Sequence, residues 1–122
     1  MTNVLVDVNI FMDVLTKREG WKASIVILEC VRKEKIKGII SAITPPILWF
    51  LLSKEFSEAE AKEITYDIIK GFEIADLSSE ILHLALKSEF EDFEDGIQYY
   101  SAKSSDCRVI ITRNKDDFSR SN

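Results

Sequence analysis

The sequence predicts an α/β fold with a mainly parallel sheet. Short β-branched apolar runs alternate with longer segments of helical character, and several of these segments begin with a capping residue or a proline. No internal repeat or low-complexity linker divides the chain. Its 122 residues suit a single domain spanning 1–122, and a hydrophobic content of 46% is sufficient for a packed core.

The N-terminal third is predicted to contain one strand and two helices. Residues 3–7 are short, β-branched and bounded by polar residues, as in a buried strand. A first helix is expected over 10–15 with Asn9 as its cap, because an asparagine side chain accepts hydrogen bonds from the free amides of a first turn. A longer helix is expected over 22–35, ending before Gly38, a residue type that often follows helices.

The middle of the chain is predicted to contain one strand and two helices. The strand is expected over 38–42. The following helix, over residues 44 to about 54, opens with a threonine and two prolines, which the first turn of a helix tolerates. Ser57 and Glu60 fit a capping box at the start of the next helix, and Gly71 suits its end.

The last third continues the alternation of strands and helices. A strand is predicted over 72–75, and a serine caps a helix over 78–88. Another helix is expected from about residue 93 or 94 to 105, and a strand over 108–112 follows it.

Acidic residues occupy positions that this topology brings to one edge of the sheet. Asp7 closes the first strand, Asp92 and Asp95 lie where the last helix begins, and Asp117 follows the last strand. We expect Asp7 and Thr112 to end neighbouring strands, at the edge where open α/β sheets bind ligands. Because carboxylates at close range resist joint ionisation, a hard divalent cation is the best explanation for gathering them.

Each acid also has a simpler explanation that the sequence leaves open. Asp7 is suited to cap the helix that follows it, and Asp92 and Asp95 are suited to interact with the dipole of their helix. Asp116 and Asp117 lie in a polar turn and are consistent with ordinary surface acids.

Composition excludes several other chemistries. The single histidine, His83, lies among leucines in a helical segment, so we expect no catalysis by histidine pairs and no Ser-His-Asp triad. The four glycines are isolated, which argues against a P-loop. Phosphoryl transfer or hydrolysis that needs only acids and a metal stays open.

The overall charge bears on partners and location. A net charge of −5 argues against a simple basic nucleic-acid binder, but not against a nuclease whose acids are neutralised by metal. The basic pairs Lys17–Arg18 and Arg32–Lys33 are typical of solvated helix faces, with contact to a phosphate backbone as the alternative.

No apolar run is long enough for a membrane helix, and no secretory signal precedes the first strand, so we expect a cytoplasmic protein.

Four segments together resemble PIN-domain proteins, in the order that the family has them. Residues 4–15 resemble the family's opening strand, its Asp-Thr-Asn motif and its apolar helix, and residues 41–44 resemble its second strand and the start of its third helix. Residues 92–98 resemble the helix that carries the family's third acid, and residues 110–118 resemble its closing Thr-Arg-Asn/Asp motif.

This resemblance implies a three-layer α/β/α sandwich and an endoribonuclease that depends on Mg²⁺ or Mn²⁺ and hydrolyses RNA. It implies kinship with VapC-type toxins, which a cognate antitoxin inhibits and which are commonly homodimers. Asp7 and Asp95 match the first and third metal-binding acids. The resemblance also implies that Asn114 stands where a fourth acid often lies, with Asp117 as its alternative. It implies that Asp92 is an accessory acid and that Asn9 and Thr112 orient the ligands.

The sequence departs from the family pattern in the helix after the second strand. The family's second acid falls near Ile47, and no acid lies between Ser41 and Lys54. Two alternatives to an active nuclease therefore stay open: a PIN-fold RNA- or protein-binding module with weakened or lost catalysis, and a purely structural α/β domain.

Residues 47–52 in that helix are apolar all round. This pattern is consistent with deep burial between layers. It is also consistent with a dimer or antitoxin interface anchored by Trp49 and Phe50.

Overall fold

A computed structural model describes residues 1–112, which form four strands and six helices. The elements are β1 (Asn3–Val6), α1 (Val8–Leu15), α2 (Trp21–Arg32), β2 (Lys37–Ser41), α3 (Thr44–Leu52), α4 (Glu58–Ile69), β3 (Glu73–Ala75), α5 (Ser79–Lys87), α6 (Phe93–Ser104) and β4 (Val109–Ile111). Every predicted element within these residues is present, with bounds that shift by a few residues. No helix within residues 1–112 has both the length and the apolar character needed to cross a bilayer.

The four strands form one parallel sheet in the order β3-β2-β1-β4. The register pairs Val6 of β1 with Ile111 of β4. Asp7 and Thr112 therefore follow adjacent strands at the same edge of the sheet, as predicted.

Helices cover both faces of the sheet and confirm the three-layer sandwich. Val4 and Ile40 belong to a core cluster with residues of α1, α3 and α4. Side chains alternate between the two faces of a strand, so Ser41 points to the opposite face, where its hydroxyl accepts a hydrogen bond from Ser101 of α6 at 3.4 Å. A second core cluster, around Ile97, joins α5 to α6.

Two predicted helix ends are wrong. The N-cap of α1 is Asp7, whose backbone is extended, and Asn9 already lies in the first turn. Gly38 does not follow the end of α2, since that helix stops at Arg32 and Gly38 lies within β2. A Cβ atom at Gly38 would lie 2.6 Å from the Phe72 ring, so glycine is required there for close packing.

The serine caps are confirmed in atomic detail. The Ser57 hydroxyl accepts a hydrogen bond from the Glu60 amide at 3.1 Å, and the Glu60 carboxylate accepts one from the Ser57 amide at 3.3 Å. The Ser78 hydroxyl accepts a bond from the Ile81 amide at 3.2 Å. The two serine hydroxyls satisfy first-turn amides that would otherwise lack a partner, and the Glu60 carboxylate satisfies the amide of the N-cap residue.

Helix α3 combines both of the environments proposed for its apolar surface. Leu48 and Leu52 are fully buried, and Ile47 packs against the same core. The Trp49 indole donates a hydrogen bond to the Glu58 carbonyl at 3.4 Å, which ties α3 to α4. Phe50 is 57% exposed, so one side of α3 packs into the core and the other side is exposed to solvent.

Candidate active site

Asp7 lies at the carboxyl end of the central strand β1. Its amide donates a hydrogen bond to the Ile111 carbonyl at 3.1 Å, which continues the pairing of β1 with β4. Its side chain is only 2% exposed. The carboxylate Oδ2 accepts hydrogen bonds from Asn9 Nδ2 at 3.2 Å and from Thr112 Oγ1 at 3.3 Å. Both residues predicted to orient ligands therefore contact the first predicted metal ligand.

Burial raises the pKa of the Asp7 carboxyl above its ordinary value of 3.8, while the hydrogen bonds from Asn9 and Thr112 partly oppose this shift. No salt bridge formed among the described residues involves Asp7. A carboxylate removed from water with only neutral donors around it is costly. A cation bound at this position would offset that cost.

The first turn of α6 brings further acids to the same edge. Asp92 caps the helix, and its Oδ1 accepts hydrogen bonds from the amides of Glu94 at 2.8 Å and Asp95 at 3.3 Å. Asp95 is buried, with 5% of its surface exposed. Asp92 is therefore a capping residue at the helix start, where the sequence suggested an interaction with the helix dipole, and Asp95 points away from bulk solvent.

Glu94 is an acidic member of the site that sequence reasoning missed. It is half-buried, and burial is the main cause of its raised pKa, followed by the negative charges of Asp7 and Asp92. The influence of Asp7 on Glu94 indicates that the end of β1 lies beside the first turn of α6. The only sequence signal was the run of residues 92–95, in which three of four residues are acidic.

This donor set fits a Mg²⁺ or Mn²⁺ ion held mainly by water. Carboxylate oxygens are the preferred ligands of such cations, and Mg²⁺ is often bound through only one or two carboxylates with several waters retained. Within residues 1–112, no group of three or more histidine, cysteine, aspartate or glutamate residues is arranged to hold a metal. A cation at this edge would therefore have fewer than three ligands from these residue types in the described part of the chain, and water would complete its coordination. Asn114 and Asp117, the remaining predicted members, lie outside the described residues.

A buried polar cluster joins α6, the helix that carries these acids, to the start of α3 and the end of β2. Gln98 Nε2 donates a hydrogen bond to Thr44 Oγ1 at 3.3 Å, and both side chains are fully buried. Gln98 Oε1 has no hydrogen-bond partner within the described part of the chain. Gln98 lies one turn after Asp95, so the bond to Thr44 fixes the rotation of α6 and the direction of its acids.

Thr44→Val is expected to destabilise the fold by about 1–3 kcal/mol, because it leaves the buried Gln98 amide without its acceptor. Urea denaturation measures the change. Thr65→Val is the matched control: Thr65 is buried too, but its hydroxyl only donates to the Ala61 carbonyl one turn earlier in its own helix. Equal losses in the two variants would contradict this reading of the cluster.

The Asp7 carboxyl should also make stability depend on pH when no divalent ion is present. Because folding raises its pKa, the native state binds this proton more tightly than the unfolded state, and stability falls as pH rises through the folded pKa. Asp7→Asn removes this titration. Its stability relative to the wild type should therefore increase from acidic to neutral pH. Urea midpoints measured in EDTA, from below pH 3.8 upwards, test this; a stability of Asp7→Asn that falls relative to that of the wild type as pH rises would contradict it.

The fold and this acidic edge define a class of α/β proteins with a ligand site at the carboxyl ends of parallel strands. The sequence matches the PIN domain family over residues 3–116. The chain therefore belongs to the PIN-domain family, and the resemblance seen in its motifs is confirmed. No curated protein matches the sequence at a significant level.

Two solved structures share the fold over nearly the whole chain. One is a chain of the crystal structure of VapBC2 from Rickettsia felis bound to a DNA fragment from the VapBC2 promoter. Its TM-score is 0.72 at 21% identity, over 98% of this chain and 92% of that chain. The other is a chain of a toxin–antitoxin complex from Klebsiella pneumoniae, with a TM-score of 0.67 at 24% identity, over 95% of this chain and 90% of that chain.

Proposed function

We propose that this protein is a metal-dependent endoribonuclease and the toxin of a type II toxin–antitoxin pair. One observation carries the proposal: the buried Asp7 carboxylate lies at the same edge of the sheet as the acidic first turn of α6. Burial, and then the charges of Asp7 and Asp92, raise the pKa of Glu94 in that turn. Membership of the PIN-domain family supports the activity. The two similar structures, which come from toxin–antitoxin complexes, support the biological setting.

In this proposal Asp7 and Asp95 would hold Mg²⁺ or Mn²⁺, and Glu94 would provide a further carboxylate. The chemistry that such a cation would supply is Lewis-acid activation of water and neutralisation of charge on the phosphate that is cut. Asn9 and Thr112 hold the Asp7 carboxylate in one orientation through their hydrogen bonds. Asp92 fixes the first turn of α6 through its cap.

The proposed partners are single-stranded RNA, a cognate antitoxin and a second copy of the chain, in the cytoplasm. An apolar groove of about 390 Å³ between α1, α2 and α4 offers an antitoxin a binding surface, and Phe11, Leu28 and Phe72 line it. The exposed Phe50 on α3 is the anchor that we propose for a homodimer. Sedimentation at micromolar concentration tests the dimer, which a single monomeric species would contradict.

The activity is tested with the purified full-length chain and a circular single-stranded RNA. An endonuclease opens a circle, whereas an exonuclease needs an end. We expect linear products with Mn²⁺ or Mg²⁺ and none in EDTA. Circles that stay intact with every divalent ion tried would refute the nuclease proposal.

A second function, binding of RNA or protein without catalysis, is favoured by one specific observation. Ile47, where the family's second acid belongs, packs into the apolar core and offers no ligand. Calorimetric titration with Mn²⁺ separates the two functions. Binding tighter than about 1 mM favours the nuclease, and no binding in that range favours the binding module.

A further inference from the structure

A partly buried arginine reaches the acidic edge through one intermediate side chain. Arg18 Nη1 donates a hydrogen bond to Asn9 Oδ1 at 3.3 Å, and Asn9 in turn donates to Asp7 Oδ2 at 3.2 Å. The guanidinium therefore lies two hydrogen bonds from the buried carboxylate of the proposed metal site.

Arg18 keeps most of its hydrogen-bonding capacity. A guanidinium has five N–H donors, and the bond to Asn9 uses one of them. The salt bridges within residues 1–112 involve Arg32, Lys37 and Lys70, and none of them involves Arg18. The sequence contains 21 acidic residues and 16 Lys or Arg residues. Arg18 nevertheless forms no salt bridge within residues 1–112, although it lies beside the acidic edge.

The backbone holds Arg18 in place on both sides. Lys17 has a φ of 50°, an uncommon conformation for a residue with a side chain, and it ends α1 with a sharp turn. The Arg18 amide donates to the Asp13 carbonyl at 3.0 Å, and the Arg18 carbonyl accepts from the Trp21 amide at 3.0 Å. The guanidinium is therefore presented from a fixed turn, which lowers the entropy cost of binding a ligand.

We propose that Arg18 binds a backbone phosphate of the RNA strand that lies across the acidic edge. This inference rests on the proposed nuclease function and assigns part of its substrate contact. The planar fork of an arginine matches two oxygens of a phosphate. A fixed cation also draws a polyanion towards an edge whose carboxylates would otherwise repel it.

Binding is measured by fluorescence anisotropy with a fluorescein-labelled single-stranded RNA in EDTA, over a series of salt concentrations. Loss of one phosphate contact should make the slope of log K against log salt less negative by about 0.7 in Arg18→Ala. Arg32→Ala is the matched control, since Arg32 lies on α2 and is paired with Glu29 at 2.7 Å; its slope should equal that of the wild type. Arg18→Lys should restore the slope, because it keeps the charge.

A purely structural role for Arg18, holding Asn9 in place, predicts a different result. Arg18→Ala would then lower kcat while the salt slope and the affinity for RNA stayed at wild-type values, and this outcome overturns the inference. An equal change in Arg18→Ala and Arg32→Ala overturns it too, because the effect would be one of net charge. In the cleavage assay, a phosphate contact predicts a larger effect on KM than on kcat.

The inference and the nuclease proposal fail in different ways. If the wild type cuts RNA and Arg18→Ala binds RNA normally, the nuclease stands and the phosphate site is wrong. If the wild type binds RNA without cutting it, and the salt slope changes in Arg18→Ala but not in Arg32→Ala, the nuclease proposal fails and the phosphate site stands. If the wild type neither binds nor cuts RNA, both fail.

Discussion

Asp7→Asn is expected to lower the rate of RNA cleavage by at least about 100-fold. Replacing even the outer partners of a metal ligand typically costs 10–100-fold in affinity or activity, and Asp7 is the proposed ligand itself. The substitution preserves the size of the side chain and an oxygen that can accept a hydrogen bond from Asn9 or Thr112. The fold should therefore survive while the negative charge at the end of β1 is lost.

Initial rates of cleavage in Mn²⁺ measure this effect, and thermal melting with and without Mn²⁺ measures cation binding independently. Mn²⁺ should raise the Tm of the wild type and leave that of Asp7→Asn unchanged. Asp67→Asn is the matched control, because Asp67 is an exposed acid on α4 whose partner is Lys70. Cleavage at the wild-type rate by Asp7→Asn would remove the basis of the proposed mechanism.

Phe11→Ala is expected to destabilise the protein by about 3–5 kcal/mol, a large part of the 5–15 kcal/mol typical of a domain. Phe11 is 1% exposed, and its ring lies edge-on to that of Phe72 with centroids 5.1 Å apart. This contact joins α1 to the segment before β3. Truncation would leave a cavity between them that packed neighbours fill only in part.

Chemical denaturation checks the size of this loss, and two variants calibrate it. Phe11→Leu should cost much less, because it fills most of the same volume. Tyr66→Ala removes an aromatic ring from a site on α4 that is 65% exposed and should stay within about 0.5 kcal/mol of the wild type. Similar losses for Phe11→Ala and Tyr66→Ala would contradict the packing described for α1.

The sequence predicted most of the fold because the relevant signals are local. Ser57 with Glu60 and Ser78 specify helix starts through bonds within one turn, and the structure has both. Strand composition and alternation were enough to predict a parallel sheet. The close approach of Phe72 to Gly38 could not be predicted, since it depends on packing between residues far apart in the chain.

The candidate site was only partly predictable, for a geometric reason. An α-helix turns by 100° per residue, because it has 3.6 residues per turn. Whether Asp92, Glu94 or Asp95 faces β1 therefore depends on the exact residue at which α6 begins and on how that helix rotates against the sheet. The bond from Gln98 to Thr44 at the start of α3 and the packing of Ile97 help to hold this rotation, and Gln98 and Thr44 lie 54 positions apart in sequence. Asp7 was easier to place, because it directly follows its strand.

The central position of β1 has a consequence for synthesis of the protein. This strand is translated first, yet one of its two neighbours, β4, is translated about a hundred residues later. A nascent chain that ends before α6 has Asp7 but neither Glu94 nor Asp95, and it lacks the Thr112 hydroxyl that contacts Asp7. Under the proposed function, fragments released early from the ribosome should therefore leave RNA intact, and cleavage should begin only once translation has passed β4.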